Sequence, residues 1–208
     1  KTLPNRPSPS CYPIDWMGIM DDSKQIYSKM KFIIEHLEPS LSEWCLLEYN
    51  HISKIVGKNN LIFSNSKSSR LNELGVVKAK SVDKLNLKNA CLLDPRAKQT
   101  LTNKDKFDYL IFGGILGDDP PRDRTSLIKL KCEKRNLGKE QMSTDTAVLV
   151  TKKILEGTQL KDLDFKDEIE IDLIENESVI LPFRYLIENN KPILAEGLID
   201  YLKKKKSF

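Results

Sequence analysis

The chain has 208 residues, of which 39% are hydrophobic and 31% charged, a composition typical of a globular protein with one sizeable domain. No apolar run approaches the roughly 20 residues that cross a bilayer, so we expect no membrane partner. The net charge of +4 equals the contribution of the four lysines at 203–206, so the other 30 basic residues balance 30 acidic ones and give no support to a broad nucleic-acid-binding surface.

A proline-rich segment precedes the regular part of the chain. Four of the ten prolines lie in KTLPNRPSPSCYP, which shows no apolar periodicity and cannot offset the entropy lost on ordering. Met30 is followed at once by KFIIEH, the pattern of a strand. We therefore expect a disordered extension over 1–29, a folded domain over 30–202 that starts naturally at Met30, and a basic tail over 203–208. A proline-rich arm with a partner of its own is the alternative for the extension.

The cysteines stand alone, without a CxxC pair, at Cys11, Cys45, Cys91 and Cys132. With only two histidines in the chain, we expect no zinc site. Isolated thiols fit a reducing compartment, either cytosol or nucleus, and we expect a cytoplasmic protein.

Strand and helix patterns alternate after Met30. Strands are predicted over 32–35, 61–63, 76–82, 89–93, 107–112, 168–173 and 179–181. Helices are predicted over 40–56, 68–75, 144–156 and 192–202, and 127–134 fits either state. The first helix is expected to begin at a capping box of Ser40 and Glu43, and the last at Pro192. The alternation predicts an α/β fold with a mainly parallel sheet and flanking helices, whose ligands bind at the carboxyl ends of the strands.

One loop carries an unusual density of glycine and charge. The apolar strand FDYLIF runs into FGGILGDDPPRDRT at residues 112–125. Glycines there permit a sharp turn or the close approach of another group. The pattern G-G-x-x-G followed by two prolines fits neither a dinucleotide-binding turn nor a P-loop, and Asp118 and Asp119 would repel phosphate. The loop is therefore predicted to be a site that does not cradle nucleotide phosphates.

Three segments together resemble a known family. FGGILGDDPPRDRTSLI, RNLGKEQMSTDTAVLVTKKILEG and VILPFRYL, with the start MKFIIEHLEPSLSEWCLLEY, are similar to the SPOUT class of S-adenosylmethionine-dependent methyltransferases. The similarity covers about residues 30–202 and is greatest to the branch of SPOUT-type protein arginine N-methyltransferases that modify a small-subunit ribosomal protein. This resemblance implies a deep trefoil knot in the C-terminal half.

The resemblance also assigns residues to S-adenosylmethionine. The implied cofactor pocket comprises Leu93, Asp94, Gly113, Gly114, Leu116, Gly117, Leu137, Gly138, Met142 and Thr144. Arg124 either binds the cofactor carboxylate or joins an ion-pair network with Arg122 and Asp123. A Cβ branch at Gly114 or Gly117 is expected to abolish cofactor binding with little loss of folding.

An arginine acceptor needs carboxylates, because its guanidinium is charged and presents five donors. Glu35, Glu48 and Asp118 are the predicted catalytic residues, and Trp44 and Asp119 are predicted to bind the substrate. Trp44 and Glu48 are four residues apart on one helix and share a face. Glu43 is interpreted as part of the capping box rather than of the site.

Three functions remain open on the sequence. The first is an arginine methyltransferase acting on a small-subunit ribosomal protein, expected to be a monomer. The second is a SPOUT-type RNA methyltransferase acting on rRNA or tRNA, which the lysines at 203–206 favour through weak RNA contact. The third is a non-catalytic ribosome-assembly factor, against which the intact motifs GDDPPRDRT and QMSTDTAV speak.

Overall fold

The computed structural model describes residues 29–114, 125–174 and 177–205, and over these ranges it contains nine strands and three α-helices. The strands are β1 (Lys31–His36), β2 (Leu61–Ser64), β3 (Val76–Val77), β4 (Ala90–Leu93), β5 (Tyr109–Gly114), β6 (Glu133–Arg135), β7 (Phe165–Ile174), β8 (Glu177–Glu188) and β9 (Lys191–Pro192). The helices are α1 (Glu43–Val56), α2 (Thr144–Leu155) and α3 (Leu198–Lys205). No helix in these ranges is long and apolar enough to cross a membrane.

Six strands form one sheet in the order β3-β2-β1-β5-β4-β6, and every neighbouring pair is parallel. In the centre, Ile33 of β1 is in register with Ile62 of β2 and Ile111 of β5. The predicted α/β fold with a mainly parallel sheet is confirmed. Because all six strands run in one direction, their carboxyl ends meet at a single edge. The trefoil knot stays a prediction.

The central strands are buried on both faces of this sheet. Phe32 and Ile34 point to the face that α1 and α2 cover, where they share a core with Tyr49 and Val148. Because side chains alternate along a strand, Ile33 points to the opposite face. There it packs with other apolar side chains, among them Val82, Leu92, Ile111 and Ile128.

A second, antiparallel sheet follows in the order β7-β8-β9 and was not predicted. Its apolar face packs against Leu198 and Leu202 of α3, and Trp44 of α1 joins this cluster. β8 is much longer than the expected strand over 179–181. Pro182 and Arg184 interrupt the apolar alternation of β8 without ending the strand, which hides its length from a pattern search.

Pro192 does not open the last helix. Asn189 and Asn190 both have positive φ (50° and 61°), the conformation of a two-residue hairpin turn, and they join β8 to β9. Pro192 belongs to β9, and α3 begins at Leu198. The expected start of a helix at Pro192 is wrong because two consecutive asparagines, which tolerate positive φ, favour a hairpin turn just before it.

The capping box at the start of α1 is also wrong. Ser42 is the N-cap, and its Oγ accepts a hydrogen bond from the Cys45 amide at 3.1 Å. Glu43 is instead the first helical residue and forms an exposed ion pair with Arg70 at 2.8 Å. The predicted strand over 76–82 shrinks to Val76–Val77, because residues 82–84 form a 3-10 turn.

Candidate active site

The carboxyl ends of β5, β4 and β6 bring together residues from the segments that the resemblance assigns to the cofactor. Leu93 ends β4, Gly113 and Gly114 end β5, and Leu137 and Gly138 follow β6 closely. These three strands are neighbours in the sheet and run in parallel, so their ends lie side by side. This edge is where a doubly wound sheet binds its ligands.

The first residue of α2 closes the same edge. The Thr144 Oγ1 donates to the carbonyl oxygen of Gly113 at 3.3 Å, and Met142, two residues earlier, packs half-buried against the apolar core. Leu93 and Leu137 are buried in that core. The predicted residues Leu116, Gly117, Asp118, Asp119 and Arg124 lie outside the described residues.

Asp94 forms ion pairs with two cationic side chains of the protein itself. Its carboxylate, 2% exposed, accepts from the Nε and Nη2 of Arg96 and from the Nζ of Lys134, each at 3.0 Å. Burial raises the pKa of the Asp94 carboxyl, but the hydrogen bonds from Arg96 and Lys134 outweigh it and hold the pKa below its usual value. The side chain ties the end of β4 to β6, a structural task that the sequence did not suggest.

Asp94→Asn should therefore destabilise the protein at neutral pH by roughly 1–3 kcal/mol, because it removes the charge that two cations contact. A carboxyl with a depressed folded pKa contributes stability above its unfolded pKa and loses it as the pH falls through the folded value. The difference in unfolding free energy between wild type and variant should thus be full at pH 7 and shrink below pH 3.8, the usual value for Asp. Urea unfolding at both pH values measures it; an equal difference at both would contradict the ion cluster.

The two glycines nearest the edge differ in their surroundings. A Cβ at Gly138 would meet only the Nη1 of Arg184, at 3.8 Å, although φ is +102°. A Cβ at Gly114 would overlap the Tyr49 hydroxyl and lie 2.7 Å from the Cγ2 of Ile34. The expectation that Gly114→Val spares folding is therefore wrong, because internal packing already excludes a side chain there.

A buried carboxylate and an indole lie on one face of α1. The Trp44 Nε1 donates to the Oε1 of Glu48 at 2.8 Å, the contact that their spacing of four residues permits. Glu48 is 5% exposed and also accepts a hydrogen bond from the backbone N–H of Thr144. Glu48 is therefore held next to the residue that closes the cofactor edge.

Burial raises the pKa of the Glu48 carboxyl well above its usual value, and the negative charge of Asp145 raises it further. The hydrogen bonds from Trp44 and Thr144 act in the opposite direction but are weaker. A carboxyl in this environment has a higher proton affinity than an exposed glutamate, and it lies beside an aromatic ring.

A polar cluster around Glu48 was missed by sequence reasoning. The Nδ1 of His51 and the Oδ2 of Asp145 are 2.8 Å apart, and the Ser143 Oγ donates to the Oδ1 of Asp145 at 2.7 Å. Tyr185 of β8 hydrogen-bonds Ser143, and burial, with the charges of Glu48 and Asp145, raises the pKa of its phenol. Asp145 lies in the first turn of the helix predicted over 144–156, a position common for an acidic residue. The local sequence does not show whether a polar residue at a helix start will be exposed or buried by tertiary packing.

Glu35 lies apart from this cluster. Its Oε2 accepts from the Ser64 Oγ and from the Val82 amide, at 2.5 and 2.9 Å. Val82 belongs to the core on the face opposite α1, so Glu35 holds the 3-10 turn at 82–84 against the sheet. Because side chains alternate along β1, the Glu35 side chain points away from α1, the helix that carries Glu48.

Comparison with known proteins identifies the class first. The chain covers 95% of a dual-specific Trm10 of Thermococcus kodakaraensis with 64% of its own length, at 17% identity and a TM-score of 0.53, which shows the SPOUT-type fold. A family model described as "Protein arginine N-methyltransferase SFM1-like" matches residues 31–207, and the chain belongs to this family.

Individual relatives agree with this assignment. Protein arginine N-methyltransferase SFM1 of Saccharomyces cerevisiae is 42% identical over 202 residues, which cover 84% of this chain and 95% of the yeast protein. The crystal structure of yeast SFM1 with SAM matches at 41% identity and a TM-score of 0.78, covering 86% of this chain and 92% of that one. The complex with SAH matches at 40% identity and a TM-score of 0.76, covering 87% and 97%.

Proposed function

We propose that this chain transfers a methyl group from S-adenosylmethionine to an arginine side chain of a small-subunit ribosomal protein. The observation that carries the proposal is the buried carboxylate of Glu48, which is held by Trp44 and joined through Thr144 to the edge where the cofactor residues meet. The names of the matched relatives support the same reaction.

The residues at the sheet edge fit S-adenosylmethionine. Leu93, Leu137 and Met142 offer apolar surface for an adenine, and Gly113 and Gly138 let backbone approach the ligand closely. When bound, the cofactor supplies a methyl group on a positively charged sulfur. The side chains of this edge therefore have to bind and orient the cofactor. The proton that the acceptor releases has to be taken up by a residue on the acceptor side.

On the acceptor side, Glu48 orients the guanidinium and receives a proton. The arginine nitrogen forms a bond to the methyl carbon as the carbon–sulfur bond breaks, with its electron pair left on sulfur. The nitrogen then gives up one proton so that the product keeps a single positive charge. Glu48 is suited to accept this proton because its pKa is raised. Trp44 provides an aromatic wall against the cation.

Asp118 and Asp119 remain predicted partners of the guanidinium. The catalytic role predicted for Glu35 is weaker, because its carboxylate contacts Val82 on the face of the sheet opposite α1. Arg124 remains a predicted partner of the cofactor carboxylate, with an ion-pair network of Arg122 and Asp123 as the alternative. We further propose that the protein acts in the cytoplasm as a monomer, and that its folded domain begins at Met30.

RNA is the second candidate acceptor. The lysines at 203–205 are exposed in the last turn of α3, whose Tyr201 packs edge-on against Trp44 with 6.2 Å between the ring centroids. A basic helix end this close to the acceptor residues favours contact with RNA near the modified group. In our proposal this contact helps the enzyme to reach a ribosomal protein on its RNA.

Transfer of labelled methyl groups distinguishes the two acceptors. Small ribosomal subunits are incubated with the protein and methyl-labelled S-adenosylmethionine, and proteins and rRNA are then separated. We expect label in one protein and at arginine. A peptide spanning that site should be inert when Lys replaces Arg, because an ammonium cannot match the planar guanidinium. Label in rRNA alone would replace the arginine proposal by the RNA alternative.

A further inference from the structure

The carboxylate of Asp145 has donors from two helices. The Ser143 Oγ and the Thr146 amide donate to its Oδ1 at 2.7 and 2.9 Å, and both belong to the start of α2. Its Oδ2 is 2.8 Å from the Nδ1 of His51, which belongs to α1. The side chain of Asp145 is 3% exposed and that of His51 17%.

The Oδ1 of Asp145 is satisfied within α2 itself. Ser143 and Thr146 would still donate to it if His51 were absent, whereas the buried Oδ2 would lose its contact with α1. Over the residues that the structure describes, His51 is the donor to this carboxylate that comes from another element. Its contact therefore serves the placement of α2 against α1 rather than the formation of α2.

That placement matters because Thr144, the residue before Asp145, touches both halves of the site. Its backbone N–H donates to Glu48 on the acceptor side, and its hydroxyl donates to the Gly113 carbonyl on the cofactor side. The first turn of α2 thus lies between Glu48 and the end of β5, where the predicted cofactor residues meet.

We infer that His51 is a positioning residue for methyl transfer. Through Asp145 it holds the first turn of α2 in place between Glu48 and the end of β5, where the predicted cofactor residues meet. This inference rests on the function proposed above. An in-line transfer depends on near-attack geometry, and a displacement of about 1 Å can cost roughly a hundredfold in rate. A side chain that does not touch the substrate can therefore control kcat.

Two substitutions at His51 separate the contact from the ring. His51→Asn keeps an N–H donor, because the amide nitrogen takes the place of Nδ1, whereas His51→Ala removes the donor. Ser53→Ala is the matched control, since the Ser53 Oγ also leaves α1 to make a tertiary hydrogen bond, but to the Leu74 carbonyl at 2.7 Å. Each variant is assayed as the full chain. The substrate is the unmethylated form of the ribosomal protein that takes up label in the transfer experiment above.

We expect His51→Ala to lower kcat by about tenfold, with KM for the acceptor and Kd for S-adenosylmethionine within about twofold of wild type. His51→Asn should stay within about threefold of wild-type kcat, and Ser53→Ala should be unchanged. A wild-type kcat in His51→Ala, or an equal loss in His51→Asn, would overturn the inference.

Amide hydrogen exchange tests the same contact without an acceptor. The Thr144 amide, which donates to Glu48, should exchange about tenfold faster in His51→Ala than in wild type or His51→Asn, because a displaced α2 breaks this hydrogen bond between the two helices more often. Unchanged exchange in all three proteins refutes the positioning role even if arginine methylation is demonstrated. Faster exchange together with no methylation of any arginine by wild type would instead refute the proposed function and leave the helix contact standing.

Discussion

Glu48→Gln should slow methyl transfer by about ten- to a hundredfold, while the variant unfolds at the same temperature as wild type or a higher one at neutral pH. The loss of rate is expected because an amide carries no negative charge, so it cannot form an ion pair with a guanidinium or accept its proton. The cofactor Kd should stay within a few-fold of wild type, since Glu48 lies on the acceptor side of Thr144.

The gain in stability follows from the pKa of Glu48. A carboxyl whose folded pKa is raised contributes stability that is fully present below its unfolded pKa and is lost as the pH rises through the folded pKa. Wild type therefore carries a penalty at neutral pH that Gln, which cannot ionise, does not. The difference in melting temperature between Glu48→Gln and wild type should be smallest below pH 4.5, the usual value for Glu, and should increase in favour of the variant as the pH rises.

Glu43→Gln is the control for both measurements. Glu43 lies on the same helix, but its side chain is 61% exposed and pairs only at the surface with Arg70. We expect its rate and melting profile to follow wild type. A Glu48→Gln enzyme of normal rate would show that this carboxylate only caps α2.

Gly114→Ala should lower the melting temperature by roughly 3–10 °C, because inserting a methyl group into a packed core costs about 1–3 kcal/mol. The new Cβ would overlap the Tyr49 hydroxyl, which itself is 2.9 Å from the Nδ1 of His36. It would also press on Ile34. The destabilisation should appear without any cofactor present.

A double-mutant cycle identifies the cause. Tyr49→Phe removes the overlapping hydroxyl, so Gly114→Ala should cost less in that background, with a coupling of roughly 0.5 kcal/mol or more. Gly57→Ala serves as the control: its φ of +81° strains an alanine, but no atom lies within 4 Å of the new Cβ. Its cost should be the same with Tyr49 or Phe. If the two Gly114 measurements were also equal, the overlap would not be the source of the effect.

The sequence predicted those features that have a local pattern. The parallel sheet followed from apolar strands separated by helices, and the contact of Trp44 with Glu48 followed from helical spacing. The gathering of Leu93, Gly113, Leu137 and Thr144 came from the family resemblance, since nothing in their spacing places three strand ends side by side.

Long-range contacts escaped prediction for a physical reason. His51 and Asp145 are 94 positions apart, and neither residue type is unusual on a helix. The packing of Gly114 against Tyr49 could not be predicted either. The sequence does not distinguish a glycine that leaves space for a ligand from one that leaves space for another side chain of the protein. The resemblance assigns Asp94 to the cofactor, and its contact with Lys134 forms only when β6 pairs with β4, so the sequence gives no sign of it.

The double contact of Thr144 limits how this enzyme family can diverge. A substitution in the first turn of α2 alters the hold on Glu48 and on Gly113 together, so selection for a new acceptor there would also disturb the methyl donor. Trp44 of α1 is less constrained, since it packs with Glu48 and with Tyr201 of α3. Changes in acceptor preference among descendants should therefore accumulate at Trp44 and on α3, while the start of α2 and the α1 residues that contact it stay fixed.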